Sequence, residues 1–435
     1  MERTLLSSHP MKLTFLIHST PSYRTLGPII EEAARRSNVA INIILGPDFE
    51  PGRLKSYQSA SFENIPERLR GLCQIVKPST TDEYIDAFCQ ADAVLALSGY
   101  DYELKIFSQL LGPPTSKNLS PAPSACWAIV TDSFIINDIE HSDLVFWTGS
   151  HCESYSSSQK KDDVSGIRDK LLPVGYVRAD VVNSINREAL RTQLGIASGQ
   201  PCVLYVPDSF LTRMDPTLTT PWFRHYWCAA SRLSRIKGTL RHLRHPYWLL
   251  RASFERLGHV KTLSSLRRFC NANGAFLLFA PRRVKDTPSG KIYLPDEEAI
   301  ADGFVPPCET YPQAMIHGLI ACDLAVCSYR SGTILDAAAI GRPMITVAAP
   351  QDGFSKEVVR TNAWYDRNYA GNGGFHWLME ASEFIHEFPK KQLKDFRLDP
   401  KTLEHFRELH TGPADGQSSR RLLNKLQEFL LKRAI

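Results

Sequence analysis

Short runs of Val, Ile, Leu and Ala, apolar at every position, alternate with amphipathic segments along the chain, and this alternation constrains the fold more than any other feature. A strand that is apolar on both faces must be covered on both, which is the condition of a parallel sheet wrapped by helices. In the first half, Lys12 to Ile17 reads as a buried strand, Leu26 to Arg36 as a helix after Gly27-Pro28, and Val39 to Leu45 as the next strand. Thr81 to Gln90 reads as a helix, and Ala93 to Leu97, Trp127 to Thr131 and Asp143 to Thr148 as further strands, about five in this half. Leu171 to Val174 adds one more at a boundary. Asn186 to Gly195 is a helix leading to a strand at Cys202 to Val206, followed by helical segments within Trp222 to Leu257. Strands at Ala275 to Phe279, Asp323 to Cys327 and Met344 to Val347 complete the pattern, with a helix over Thr333 to Ile340. Gly112 to Ser124 and Glu153 to Asp163 are polar, turn-rich stretches and read as loops.

The fold class is α/β. At roughly 150 residues per domain, 435 residues make two domains, with a junction near Val181. Residues 1–181 form the first and 182–435 the second, the last helix being free to pack back on the first. Open α/β sheets bind ligands beyond the carboxyl ends of their strands, so a ligand is expected between the two halves.

Apolar residues at 43% and charged residues at 22% exclude wholesale disorder, a collagen-like repeat and a coiled coil. No apolar run approaches the roughly 18 residues needed to cross a bilayer, and the first dozen residues lack the pattern of a secretory signal. The expected location is cytoplasmic, with reduced, structural cysteines: the ten are scattered and carry no zinc-site spacing. No metal site and no cofactor are expected. The net charge of +5 predicts no nucleic-acid partner by itself.

The sharpest local pattern runs from Asp323 to Val347 and encodes strand, turn, short helix and strand. Thr333 and Asp336 have the spacing of a capping box, and Gly341 with Pro343 supplies the stop. The helix start falls beside a strand's carboxyl end. There Ser331 and Thr333 offer hydroxyls, Gly332 lets a ligand approach the backbone, and unpaired amides with the helix dipole favour an anion such as a diphosphate. Arg330 adds a charge. The same residues also suit an ordinary capped helix. Phosphate-loop and dinucleotide-binding glycine patterns are absent, as are a serine-hydrolase elbow and a zinc-protease helix, which disfavours those enzyme classes.

This segment resembles the nucleotide-binding half of GT-B glycosyltransferases, especially the CDP-glycerol glycerophosphotransferase family that builds teichoic-acid-type polymers. Leu172-Pro-Val-Gly-Tyr-Val-Arg-Ala-Asp180, followed by a helix and the strand at Cys202, is similar to that family's passage into its second domain. Asp415-Gly-Gln-Ser-Ser-Arg-Arg421 is similar to its C-terminal signature. The resemblance implies two Rossmann-like domains facing each other across a cleft, with acceptor on the first and donor on the second. Where the family carries a His-Gly pair, this chain has Thr131-Asp132-Ser133, and where it carries a Lys-x-His-Pro strand end, it has Leu277 to Arg283.

With both characteristic histidines missing, Arg282 and Arg283 remain to bind phosphate oxygens, or to form a solvated basic loop. His18, directly after the first strand, is the first candidate for a general base, its imidazole titrating near about 6.5. Asp132 is the second, as base or as the carboxylate orienting His18. Either residue could equally be a hydrogen-bonded turn residue. The stretch Arg213 to Lys261 holds ten Lys or Arg and two acidic residues, with Trp222, Phe223, Tyr226, Trp227, Tyr247 and Trp248 interleaved. It suits an anionic polymer or a membrane surface ahead of RNA stacked on aromatics, since no compact RNA-binding motif is visible, or else a solvated helical face with its aromatics inward.

The resulting expectation is a transferase that moves a glycosyl or glycerophosphate group from a nucleotide-diphosphate-linked donor to a hydroxyl acceptor, in cell-envelope polysaccharide or teichoic-acid-like synthesis. The alternatives are a non-hydrolysing sugar-nucleotide epimerase and a non-catalytic nucleotide-binding relative.

Overall fold

The computed structural model describes residues 10–17, 20–45, 65–79, 83, 90–97, 126–131, 142–150, 170–206, 246–280, 295–306, 314–328, 332–348 and 374–433. The chain divides into two compact units, one of 1–184, 308–313 and 405–435, the other of 185–307 and 314–404.

The first unit holds β1 (Met11–Ile17), α1 (Thr20–Ala34), β2 (Val39–Leu45), α2 (Glu67–Arg70), β3 (Gln74–Val76), β4 (Ala93–Leu97), β5 (Cys126–Val130), β6 (Leu144–Trp147) and β7 (Leu171–Pro173). They form one seven-stranded sheet of order β3-β2-β1-β4-β5-β6-β7, every pair parallel. The central strands β4, β5 and β6 are buried throughout, as their unbroken apolar runs demand.

Two expectations need correction here. The first helix starts at Thr20 rather than Leu26 and carries Pro28 inside it. An interior proline removes a backbone bond, but Tyr23, Leu26, Ile29, Ile30 and Ala33 repeat at helical spacing and all enter the core, which holds the turn across the break. The sheet has seven strands rather than about five plus one at the boundary. The missed strand is β3, three partly exposed residues at the sheet edge that give no apolar run.

The second unit begins with α3 (Arg187–Gln193), whose Asn186 side chain caps the Ala189 amide at 2.9 Å. β8 (Cys202–Val206), α4 (Pro246–Asn273), β9 (Phe276–Phe279), α5 (Pro295–Ile300), β10 (Gly303–Phe304), α6 (Ala314–Ala321), β11 (Leu324–Ser328), α7 (Thr333–Ile340), β12 (Met344–Ala348), β13 (His376–Glu380) and α8 (Ala381–His386) follow. The six strands are again all parallel, in the order β10-β9-β8-β11-β12-β13. β10 and β13 lie beyond the four strands expected for this half. α4 runs to Asn273, well past Leu257, and stacks Phe269 on Phe388 and that ring on Phe384, with centroids 4.1 and 4.4 Å apart. Of the helix expected over Thr81 to Gln90 only Glu83 and Gln90 are described, while both proposed loops and the basic stretch as far as residue 245 lie outside the described residues.

The amino edges of both sheets share one device. Asp92, Asp143, Asp302 and Asp323 each stand one residue before a strand, and each accepts the first or second amide of the neighbouring strand: Lys12 at 2.7 Å, Trp127 at 2.8 Å, Leu277 at 2.7 Å and Cys202 at 2.9 Å. Each aspartate's own amide donates back to the carbonyl of that same residue. The reciprocal pair pins the register of adjacent strands where they start. Arginine counter-charges stand on three of the carboxylates: Arg433 on Asp143, Arg267 on Asp302, and Arg187 with Arg191 on Asp323.

The chain returns to the first unit within α9 (Pro400–His410) and ends in α10 (Ser418–Arg433), whose Leu422, Leu423 and Leu426 complete that unit's core. The start of α10 is held by Asp180, whose carboxylate accepts the Ser418 and Ser419 amides at 3.0 and 2.6 Å. Arg421 donates to the Val174 carbonyl at 2.8 Å and pairs with Asp415. Gly175, at φ +97°, passes so close that a Cβ would lie 2.6 Å from the Ser418 hydroxyl. The Leu172–Asp180 and Asp415–Arg421 motifs therefore meet as one structural clamp.

Candidate functional site

In the second unit the strand order reverses between β8 and β11, and ligands of open α/β sheets bind beyond the carboxyl ends of strands at such a point. Val206 of β8 pairs with Cys327 of β11, and Ser328 with Val347 of β12, so these ends form one shelf. Four residues after Ser328 the chain reaches Gly332 and turns into α7. Seven of the helix's eight residues, Thr333 to Ala339, are buried, and it stops at Gly341, where the left-handed backbone (φ 76°) suits glycine.

Gly332 is the N-cap, with φ −61° and ψ −8°, and makes no side-chain cap bond. A Cβ there would meet nothing within 4 Å. Neither its backbone angles nor the described residues around it call for glycine, and none of those residues would meet a Cβ there. The Leu335 amide turns back to the Gly332 carbonyl at 3.1 Å, the amides before it in the first turn have no carbonyl of their own helix to bond, and the dipole concentrates about half a positive charge there. The chemistry on offer is anion binding.

The cap of α7 is Gly332, one residue before the Thr333 of the expected capping box. Thr333 is the first helical residue rather than the cap, and its hydroxyl donates sideways to the Met315 sulfur on α6 at 2.9 Å, both side chains being buried. Asp336 is buried in the helix's first turn. Sequence reasoning did not single out Met315, because nothing in an all-apolar helix marks one methionine as a neighbour of α7. Nor did it single out Glu297, fully buried on α5, since the run Asp296-Glu297-Glu298 reads as a solvated helix start.

Of the other expected site residues, His18, Asp132, Arg282, Arg283, Arg330 and Ser331 lie outside the described residues. Thr131, next to Asp132, is buried, its amide and hydroxyl both bonded to the Phe146 carbonyl. His317 on α6 is kept below its ordinary pKa by burial, and so is neutral at pH 7. It stands two residues, about 200° of helix, from Met315 and so projects away from α7. The six described cysteines are free thiols, and burial pushes Cys126, Cys270 and Cys322 up to about 12, which makes them poor nucleophiles. Among the described residues, no group of three or more His, Cys, Asp or Glu is placed to hold a metal ion, and no helix is long and apolar enough to cross a membrane.

No protein-family model and no curated protein matches the chain in sequence. In structure it is similar to a putative UDP-N-acetylglucosamine 2-epimerase from Listeria monocytogenes, at 10% identity over 97% of either chain with a TM-score of 0.54. It is similar also to the wall teichoic acid polymerase TagF, at 12% identity over 98% of this chain and 90% of that one, with a TM-score of 0.56. A third neighbour is the UDP-GlcNAc 2-epimerase of Neisseria meningitidis bound to UDP-GlcNAc, at 11% identity over 96% of this chain and 100% of that one, with a TM-score of 0.51. At such identities the likeness is one of fold: the chain has the GT-B fold, and its neighbours by name are enzymes.

Proposed function

We propose that the chain is a GT-B-type enzyme that binds a nucleotide-diphosphate-linked donor at the start of α7 and transfers a glycosyl or glycerophosphate group to a hydroxyl acceptor. The observation that carries this reading is the open N-terminus of α7 at the switch point, with Gly332 bare although its own conformation does not require glycine. The fold neighbours lend support, since their names include UDP-GlcNAc and CDPG as bound molecules.

In this reading the backbone of Ser331, Gly332 and Thr333 holds the diphosphate. Arg282, Arg283 and Arg330 balance the charge that develops on the leaving nucleotide, and His18 or Asp132 takes the proton of the acceptor hydroxyl. Positioning and fixed electrostatics then supply most of the acceleration. The basic, aromatic stretch 213–261 would face an anionic polymer or a membrane surface. A second reading, a sugar-nucleotide epimerase, is favoured by the two epimerases among the neighbours; it needs the same diphosphate grip and no acceptor.

Incubation with CDP-glycerol or UDP-GlcNAc, with and without a polyol-phosphate or glycan acceptor, separates the readings. The transferase predicts acceptor-dependent release of CMP or UDP. Interconversion of UDP-GlcNAc without acceptor identifies the epimerase, and nucleotide binding without turnover of any donor identifies a non-catalytic relative.

A further inference from the structure

The eight residues of α6 read Ala-Met-Ile-His-Gly-Leu-Ile-Ala, and His317 is the polar one among them. The other seven are buried, whereas His317 is half-buried and makes no hydrogen bond or ion pair with the described residues. Burial keeps the imidazole neutral at pH 7, and a neutral ring has one donor and one acceptor nitrogen. Packing alone favours an apolar side chain at such a position, because shielding polar nitrogens from water without partners costs free energy.

The direction of His317 follows from its neighbours on the helix. α6 joins the end of β10 to the start of β11 in a parallel sheet, so it runs from the carboxyl edge toward the amino edge. His317 lies about one turn below its head, and helical side chains lean toward the helix N-terminus, here toward the carboxyl edge. Met315 marks the α7 flank through its contact with Thr333. Gly318 marks the face on the sheet, since a Cβ there would lie 2.8 Å from Leu204 and 3.3 Å from Val305, just past β10. His317 stands about 200° from Met315 and about 100° from Gly318, which places it on the flank over β9 and β10, across α6 from the head of α7. Packed helices lie about 8–10 Å apart, so a ligand whose diphosphate sits at the head of α7 can carry its nucleoside over the head of α6 to this flank.

Resting on the diphosphate reading above, we infer that His317 recognises the nucleoside of the donor, its two ring nitrogens exchanging hydrogen bonds with the polar groups of the sugar and base. The diphosphate grip at α7 and the nucleoside contact on α6 are then separate, and one can be lost without the other.

Calorimetric titration of the full-length parent, His317→Ala and His317→Leu with UDP and with inorganic pyrophosphate tests this, with melting temperatures measured in parallel. Leucine keeps most of the buried apolar area, so it guards against a loss of folding in the alanine variant. Both variants should bind UDP about tenfold more weakly than the parent, the size of one hydrogen bond, and pyrophosphate with the parent's affinity. A purely structural role would weaken both ligands together and in step with melting temperature. Undiminished UDP binding by both variants overturns the nucleoside contact and leaves the diphosphate reading intact. An equal loss for UDP and pyrophosphate also overturns it. A parent chain that binds neither ligand overturns the diphosphate reading, and this inference with it.

Discussion

Gly332 and Gly412 both stand at helix boundaries, for opposite reasons. Gly412 has φ +69°, and a Cβ on it would lie 2.8 Å from the Thr148 carbonyl oxygen and 2.9 Å from the Gly175 Cα, so the fold cannot place another residue there. Gly332 has ordinary angles and open space, so the fold could. Replacing each by alanine should therefore give opposite outcomes. Gly412→Ala should cost more than the about 1–2 kcal/mol of a left-handed alanine, because backbone must also move. Gly332→Ala should stay within about 1 kcal/mol of the parent, a small loss of cap preference offsetting the gain in chain stiffness, yet bind UDP at least about tenfold more weakly. Thermal melts and a UDP titration check both halves, and a Gly332→Ala variant of unchanged affinity would remove the functional reason for that glycine. At this scale the sequence pointed to the correct helix start but gave no sign that the Thr333 hydroxyl meets the Met315 sulfur. Spacing along one segment carries no information about Met315, which is 18 residues away in the chain and beside it in space.

Strands were readable where burial leaves a continuous apolar run, as in β4, β5, β8 and β11, and unreadable where it does not, as in β3 and the two-residue β10. The start of α1 was hidden for the opposite reason, since Pro28 is a local stop that packing overrides. Asp143 and Asp323 look like the first residues of their strands, but each is the acidic tie just before one. These ties differ in their surroundings, which sets their worth. Asp92 is exposed and loses one bond to a backbone amide if replaced, whereas Asp323 also answers Arg187 and the buried Arg191. Asp92→Ala should cost about 1 kcal/mol. Asp323→Ala should cost about 3 kcal/mol, because it leaves arginine charge at a buried edge without its partner. Chemical denaturation of the two variants measures the difference, and equal losses would mean that the arginines find full compensation elsewhere, for instance in the Ile320, Ala321 and Cys322 carbonyls they already touch.

Over the whole chain, the same strand order, two to one side of the first strand and the rest to the other, is built twice, and each copy is tied at its amino edge by the same aspartate device. The α/β class and the repeat of one grammar in two halves were legible because parallel sheets leave period-free apolar strands. The return of α9 and α10 to the first unit depends on contacts such as Asp180 with Ser419, 239 residues apart, which no local pattern encodes. Rigid ties at the amino edges leave the carboxyl edges to ligands, and the central claim is that one of them, at the head of α7, grips a diphosphate. The most direct test is a UDP titration followed through the backbone amide resonances of Gly332, Thr333 and Ile334. These should shift together and saturate at the affinity measured for the whole protein. UDP binding that leaves all three unmoved, or no binding at all, would contradict the account.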